Sequence, residues 1–376
     1  MSQVFDYDVI IVGSGFGGSV SALRLSEAGL RVAVLEQGRD YQPKDFARSG
    51  QSTRHLLWAP SLKLTGPLAQ DVFRHVGVVR GIGVGGGSLV YAAVLLKPGA
   101  TFYQDNAWAH LSPDWQTELA PHYTRAEQML GLAENPYRSL QDHWLEQTAA
   151  HLGAADSYSS VPQGIYFGDP ALPPHDPFFN GRGPLRSGCT RCGQCITGCP
   201  HGAKNSLPTN YLHLARQAGA EVLAETRVSH IEPWAGGYRL HRRHPRQKQP
   251  QAPLTARRVI LSHDPDIDLT DGTTISSHFH ADPRTHITQN RFPASYAFMR
   301  FYMGPLIDGS RPLSRALRVL GHILRHPLGS SLAWRTRHWH RRVSVLTVMQ
   351  QADNQLRLTF ARNWLRGGRQ SLQSAV

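Results

Sequence analysis

Tyr7-Asp-Val-Ile-Ile-Val-Gly-Ser-Gly-Phe-Gly-Gly18, followed by a helix-length segment and then Val32-Ala-Val-Leu-Glu36, is the stretch that decides the fold. It reads as strand, glycine turn, helix, second strand and terminal acid, the order a dinucleotide site requires. Gly13 permits the tight turn, Gly15 and Gly17 keep the backbone bare beside a pyrophosphate, and Gly18 lets the helix lie close to the strand. The helix, opening at Phe16, presents unpaired N–H groups and a positive dipole end to phosphate. Glu36 stands where a carboxylate accepts hydrogen bonds from a ribose. The flanks match on both sides of the turn, so the expected ligand is FAD or NAD.

Outward from this unit, residues 41–75 read as irregular, with Trp58, Pro60 and Pro67 arguing against long elements. A second glycine segment follows, Val78-Val-Arg-Gly-Ile-Gly-Val-Gly-Gly-Gly-Ser-Leu-Val-Tyr91. Glycine at that density, interleaved with apolar residues, marks backbone that must approach something closely. Residues 113–153 read as helices, with apolar positions at helical spacing over 121–130 and 140–152; a loop is expected over 159–187, and a helix over 207–218 that ends at Gly219. Residues 221–233 read as strand pieces, Gly236-Gly237 as a turn, Tyr238–His241 as a return strand, His241–Pro253 as a loop, and Arg258–Ser262 as a buried strand. Further on, strands are expected at 274–280, 343–349 and 356–360, with a basic amphipathic helix at 314–324.

A chain of 376 residues, 40% hydrophobic and 18% charged, can bury a core large enough for two domains. It holds no apolar run of membrane-spanning length and no leader-like start, which points to the cytoplasm. The formal net charge of +13 is uneven: Arg239–Val376 holds 22 Arg plus Lys against seven Asp and no Glu. Without a nucleic-acid reading motif, that charge gives no reason to expect specific nucleic-acid binding. Arg335–Arg342, a basic run around a central Trp339, reads by default as solvated surface, and as a sharper alternative as a contact for anionic membrane.

All four cysteines fall in one segment, as Cys189-x-x-Cys192-x-x-Cys195-x-x-x-Cys199-Pro200. The spacing is that of bacterial ferredoxins, in which the fourth thiolate serves a second cluster. An iron–sulfur site, a zinc site and unligated thiols stay open, with unligated thiols the expectation for a reducing compartment. His278, His280 and His286 lie around an Asp; alternating His along a strand reads as a solvated face rather than a metal site.

With both glycine turns in view, the chain resembles the glucose–methanol–choline (GMC) oxidoreductases, and within them the cholesterol oxidase-like group. Four stretches carry the resemblance: Tyr7–Gly18, Gly81–Tyr91, Cys189–Leu212 with its Gly-Ala-Lys-Asn-Ser-Leu core, and Gly219–Pro233. Asp268–Phe292 and Val345–Leu356 look like that group's substrate domain. The resemblance implies an α/β fold: a Rossmann-type FAD-binding domain (1–100 and 200–262) and an α+β substrate domain containing a β-sheet (101–199 and 263–376). It implies an FAD enzyme that takes hydride from a CH–OH carbon of a small-molecule alcohol, a sterol or another bulky apolar one, with dioxygen or another acceptor reoxidising the flavin. Carried over by position, Gly13, Gly15, Gly18 and Glu36 hold the ADP half, Gly85, Gly86, Gly87 and Ser88 pass beside the pyrophosphate and isoalloxazine, and the Val228 backbone holds the adenine edge.

Two departures accompany the matches. Where the family continues from the strand at Arg258–Ser262 into an Ala-Gly-x-Leu-Gly-Thr turn and a helix, this chain has His263-Asp264-Pro265. The family's catalytic His in a glycine-rich stretch and its closing segment with Asn or His are also not found before Val376. His322 sits in the expected amphipathic helix, so the resemblance assigns no general base. An uncovered strand edge and lowered stability are therefore expected, relative to a family in which the missing crossover covers that edge. Two alternatives stand beside the enzyme: a catalytically inactive flavin-binding remnant, and an iron–sulfur electron carrier using Cys189–Cys199.

Overall fold

The computed structural model describes residues 5–72, 77–105, 109–247 and 249–261, the strand backbone within 277–290 and 345–375, and Ser295, Arg318, Gly321 and Arg325. Four consecutive β-branched apolar residues, Val9–Val12, make Tyr7–Val12 (β1) a strand buried from both sides: Val9 and Ile11 face one layer and Ile10 the other. Phe16–Glu27 (α1) follows, then Val32–Leu35 (β2), in which every residue is buried. Pro43–Gln51 (α2) corrects the expectation of an irregular 41–75. Pro43 at the first helical position and reciprocal bonding between Gln42 and Asp45 start a helix there. Leu68–Val72 (β3) and Gly77–Gly81 (β4) then form a hairpin that delivers the chain into the second glycine segment.

Trp115–Met129 (α3) lies within the helical reading of 113–153; Asp114 caps it through the Thr117 N–H, and it carries Pro121 inside. Leu140–His151 (α4) agrees with the reading and is capped by Ser139. The helix expected over 207–218 is shorter, Tyr211–Gln217 (α5), preceded by a 3-10 turn at Leu207–Thr209. Asn210, at φ −138° and ψ −96°, separates the two and caps the helix through its side chain. Gly219 at φ +96° ends it, as expected.

Glu221–Leu223 (β5), Arg227–Trp234 (β6), Gly237–Arg243 (β7) and Pro250–Leu261 (β8) complete the main sheet. β8 begins eight residues before the expected strand, so the basic loop is reduced to the turn of a hairpin with β7. Thr255 Oγ1 and N bond Asp6, holding this early half of β8 in place. The strand order is β5-β2-β1-β8-β7-β6, parallel through β8 and antiparallel beyond it. α1 and α5 cover one face through Ala22, Leu23, Leu212 and Ala215 against Val9, Ile11, Val32 and Val34. Fully burying each such aliphatic side chain contributes about 1.5–3 kcal/mol, so this layer fixes α1 against the strand ends.

β8 changes partner along its length. Ala256 is paired on both sides, with Tyr7 and Tyr238. From Arg257 to Leu261 it pairs with β1, and no described residue pairs with its other edge. Leu261 is 63% exposed there. The residues that follow Leu261 in the chain, up to 276, lie outside the described ones.

Ser277–Asp282 (β9), Thr285–Asn290 (β10) and Val345–Gln350 (β11) form an antiparallel sheet, extended by Ser159–Ser160. Arg357–Asn363 (β12) and Arg369–Ala375 (β13) make a separate hairpin. His278 and His280 lie on β9 and His286 on β10, with His280 opposite His286 in register. The strands expected at 274–280, 343–349 and 356–360 are present with shifted ends. The helix expected at 314–324 and the basic run Arg335–Arg342 lie outside the described residues, apart from Arg318 and Gly321, which are helical.

Candidate cofactor site

The two glycine segments meet at the carboxyl ends of β1 and β2. Gly13, at φ +96°, turns the chain out of β1, and its N–H donates to Leu35 O at 2.8 Å. Ser14 then becomes the fastening point. Its N–H (3.2 Å) and Oγ–H (2.6 Å) both reach Glu36 Oε2, and its Oγ accepts the Gly85 N–H at 3.0 Å. Glu36 Oε1 accepts the Gly38 N–H at 2.9 Å. Buried charge-assisted bonds of this kind are the strong ones, so one carboxylate ties the first turn to the end of β2 and, through Ser14, to the second turn.

Contact between the turns is backbone on backbone. Gly86 lies at φ +53°, and a Cβ built on it would stand 2.9 Å from Gly15 Cα. Gly85, at φ +109°, would meet Pro208 Cδ at 2.5 Å. A side chain at Gly86 would force the two turns apart, and one at Gly85 would collide with Pro208 and Leu89. At Gly15, Gly17 and Gly87 the situation is opposite: a Cβ there would meet nothing within 4 Å. Open space thus lies before the N-terminus of α1, whose N-cap Gly15 supplies no side-chain acceptor and whose first turn holds no acid. The first helical N–H groups have no intrahelical partner and point at that space. Gly18 is buried in the helix.

These features fit a dinucleotide pyrophosphate, and Gly13, Gly15, Phe16, Gly17 and Gly18 with Gly86 and Gly87 would hold it. Ser88 contributes differently from the expectation. Its buried hydroxyl donates to Gly85 O at 2.7 Å and accepts the Leu207 N–H at 3.0 Å, so it braces the second turn and leaves contact to the glycines. Val228, on β6, lies two residues beyond Thr226, whose N–H donates to Glu36 O at 2.8 Å. The structure therefore brings Gly13–Gly18, Glu36 and Gly85–Ser88 together, with Val228 linked to them through the neighbouring Thr226 and Glu36.

Two buried cations were missed in the sequence because a lone Lys or Arg has no periodic signature. Lys204 is 3% exposed and Arg186 is 2% exposed. Lys204 Nζ donates to the carbonyl oxygens of Leu89 (2.8 Å), Tyr91 (3.1 Å) and Cys195 (2.7 Å). Burial pushes its pKa down to about 8, partly opposed by Cys195 and Cys199. Arg186 bonds the carbonyls of Gly202, Ala203 and Lys204 and the Asn205 Oδ1; burial lowers its pKa to about 10. Ala93 is also buried and adopts φ +67°, a strained conformation for a residue with a Cβ, just past the second turn.

The cysteine segment borders a cavity of about 330 Å³, lined by all four cysteines together with Tyr137, Ile165, Phe167, Arg191 and Lys204 among others. Cys192 is exposed, and Cys189, Cys195 and Cys199 pack partly buried beside Ala93, Ile165 and Ala203. All four are free thiols. Burial raises the pKa of Cys189 and takes Cys195 to about 12, which keeps these sulfurs protonated at neutral pH. Among the described residues no group of three or more His, Cys, Asp or Glu side chains is placed to hold a metal ion. No helix of the described residues is long and apolar enough to cross a membrane.

Comparison with known proteins agrees with this geometry. Residues 8–51 match a family model described as an FAD binding domain, and residues 185–262 match one described as GMC oxidoreductase. A cholesterol oxidase of Mycobacterium tuberculosis is 36% identical, with 93% of this chain and 70% of that protein covered. A cholesterol oxidase of Acinetobacter baumannii is 32% identical, with 96% and 74% covered. A long-chain-alcohol oxidase of Arabidopsis thaliana is 28% identical over 60% of this chain and 26% of its own length. Among solved structures, a pyridoxine 4-oxidase from Mesorbium loti is similar at a TM-score of 0.44 and 18% identity, and this chain spans 48% of its length.

Proposed function

We propose that this chain, which belongs to the GMC oxidoreductase family, is an FAD-dependent oxidoreductase acting on the CH–OH group of a sterol or similarly bulky apolar alcohol. The observation that carries the reading is the meeting of the two glycine turns, with Gly86 against Gly15 and Ser14 bonded to both Glu36 and Gly85. FAD, when bound, supplies a hydride acceptor for the carbinol carbon, and dioxygen or another acceptor takes the electrons onward. The chain's own part is to hold the pyrophosphate at the α1 N-terminus, to fix the second turn through Ser88 and Lys204, and to keep the intervening space free of side chains. Residues 1–100 and 200–262 form the FAD-binding part, and 101–199 with 263–376 the substrate part. The sterol class rests on the names of the most similar relatives, and Arg335–Arg342 on this reading contacts the anionic membrane from which such a substrate is drawn.

A second reading, a flavin-binding protein without turnover, is favoured by one observation: the edge of β8 at Arg257–Leu261 lacks a partner among the described residues, where the family's strand continues into a turn and helix. No observation among the described residues favours the iron–sulfur alternative in the same way. One experiment separates them. The purified protein should be yellow, and anaerobic addition of a sterol alcohol should bleach the flavin band. A yellow protein that no alcohol bleaches establishes the second reading, and a colourless or iron-containing protein removes both.

A further inference from the structure

We infer that Lys204 is a positioning residue for the cofactor: a buried ammonium that clamps the strap leaving the second glycine turn and fixes it against the first. This rests on the FAD site assigned above and concerns residues outside the glycine turns themselves.

The argument starts from satisfaction. A fully buried ammonium has three N–H donors and no acceptor, and it is stable only where all three are bonded. Here no carboxylate does this. The three acceptors are main-chain carbonyls from two separate segments, Leu89 and Tyr91 on the strap and Cys195 on the cysteine segment. The strap therefore cannot move outward without stranding a buried charge. The same ammonium stands 4.9 Å from the centre of the Tyr91 ring. That ring packs edge-on against Phe16 (centroids 6.0 Å apart), the residue directly after Gly15, and its hydroxyl donates to Asn205 O at 2.6 Å. A continuous path thus runs from Lys204 through Tyr91 to the start of α1, where the pyrophosphate would sit. Arg186 holds the other side of the Lys204 segment by bonding Lys204 O and Asn205 Oδ1. A neutral side chain of the same volume would leave the carbonyls of Leu89, Tyr91 and Cys195 without a donor, so it is the buried cation that ties the strap to the cysteine segment. The groups facing the ammonium are Tyr91, Cys195 and Cys199, none of which is a carboxylate.

The test compares Lys204→Met and Lys204→Arg with the wild-type holoprotein. Lys204→Met should release FAD at least tenfold more readily and shift the flavin reduction potential to a more negative value, because a positive charge that favours the reduced, anionic cofactor is gone. Lys204→Arg should keep a potential close to wild type while still loosening FAD, since its planar fork cannot reproduce three divergent bonds. A purely structural role would lower stability in both variants and leave the potential of the folded protein unchanged. Folded Lys204→Met with wild-type FAD affinity and potential overturns the inference. Should neither variant fold, hydrogen exchange on the wild type decides: FAD binding must slow the amides of 89–93 and 203–206 together, and protection confined to the glycine turns overturns it. Wild-type protein that binds no FAD would instead refute the cofactor site.

Discussion

Alanine at Gly86 should destabilise the fold and alanine at Gly87 should leave it unchanged, though the two residues are neighbours. At Gly86 the backbone sits at φ +53°, which costs a residue with a Cβ about 1–2 kcal/mol. The added methyl would also stand 2.9 Å from Gly15 Cα, a backbone atom fixed by β1 and α1, and overpacking of that kind costs roughly 1–3 kcal/mol. Gly86→Ala should therefore destabilise the protein by about 2–5 kcal/mol. At roughly 2–4 °C per kcal/mol for domains of this size, Tm should fall by about 4–20 °C. At Gly87 a Cβ meets nothing within 4 Å and the backbone carries no positive φ, so Gly87→Ala should leave the Tm of the apoprotein within about 1 °C of wild type. Its methyl would occupy space that the cofactor needs, and FAD affinity should drop about tenfold or more. Both effects can be read from differential scanning calorimetry of apoprotein and from flavin fluorescence titration. Gly87→Ala protein that binds FAD as tightly as wild type would show that the space before α1 is not the cofactor's, and the reasoning would fail.

Other outcomes follow from single contacts. Glu36→Gln keeps the shape but weakens the charge-assisted bonds to Ser14 and Gly38, and urea denaturation should show a loss of about 1.5–3 kcal/mol. Arg186→Met leaves three buried carbonyls and Asn205 without their donor, and the same assay should show a loss of at least about 3 kcal/mol. Burial works against the Asp176 carboxylate, but the N–H groups of Phe178, Phe179, Gly181 and Gly183 hold its pKa below the usual carboxylate range. Its contribution is then present above the unfolded pKa of about 3.9 and lost as pH falls through the lower folded value. Asp176→Asn should accordingly flatten the stability profile on the acid side, and an unchanged acid midpoint would contradict the loop geometry. With the Cys195 thiol near 12, its thiolate fraction at pH 8 is about one in ten thousand. Iodoacetamide followed by peptide mass mapping should label exposed Cys192 and spare Cys195 until the protein is unfolded.

Periodicity served well where burial is two-sided and local. Val9, Ile10 and Ile11, and all of β2, read as strands because apolar runs bounded by glycine have few other uses. It failed where a cap decided the outcome: Gln42 with Asp45 starts α2 inside a stretch that reads as irregular. It also misjudged β8, whose polar first half reads as loop until β7 and Asp6 supply partners.

What the order of residues determined unaided was the βαβ unit and its glycine turn, because φ above zero and a bare backbone are properties of glycine itself, readable one residue at a time. That Gly86 touches Gly15, that Glu36 is committed to Ser14 before any ribose, and that Lys204 reaches three carbonyls were decided by the tertiary structure alone. Each joins segments tens of residues apart or more, and the free energy that selects such a contact comes from burial and bonding that exist only once both segments are in place.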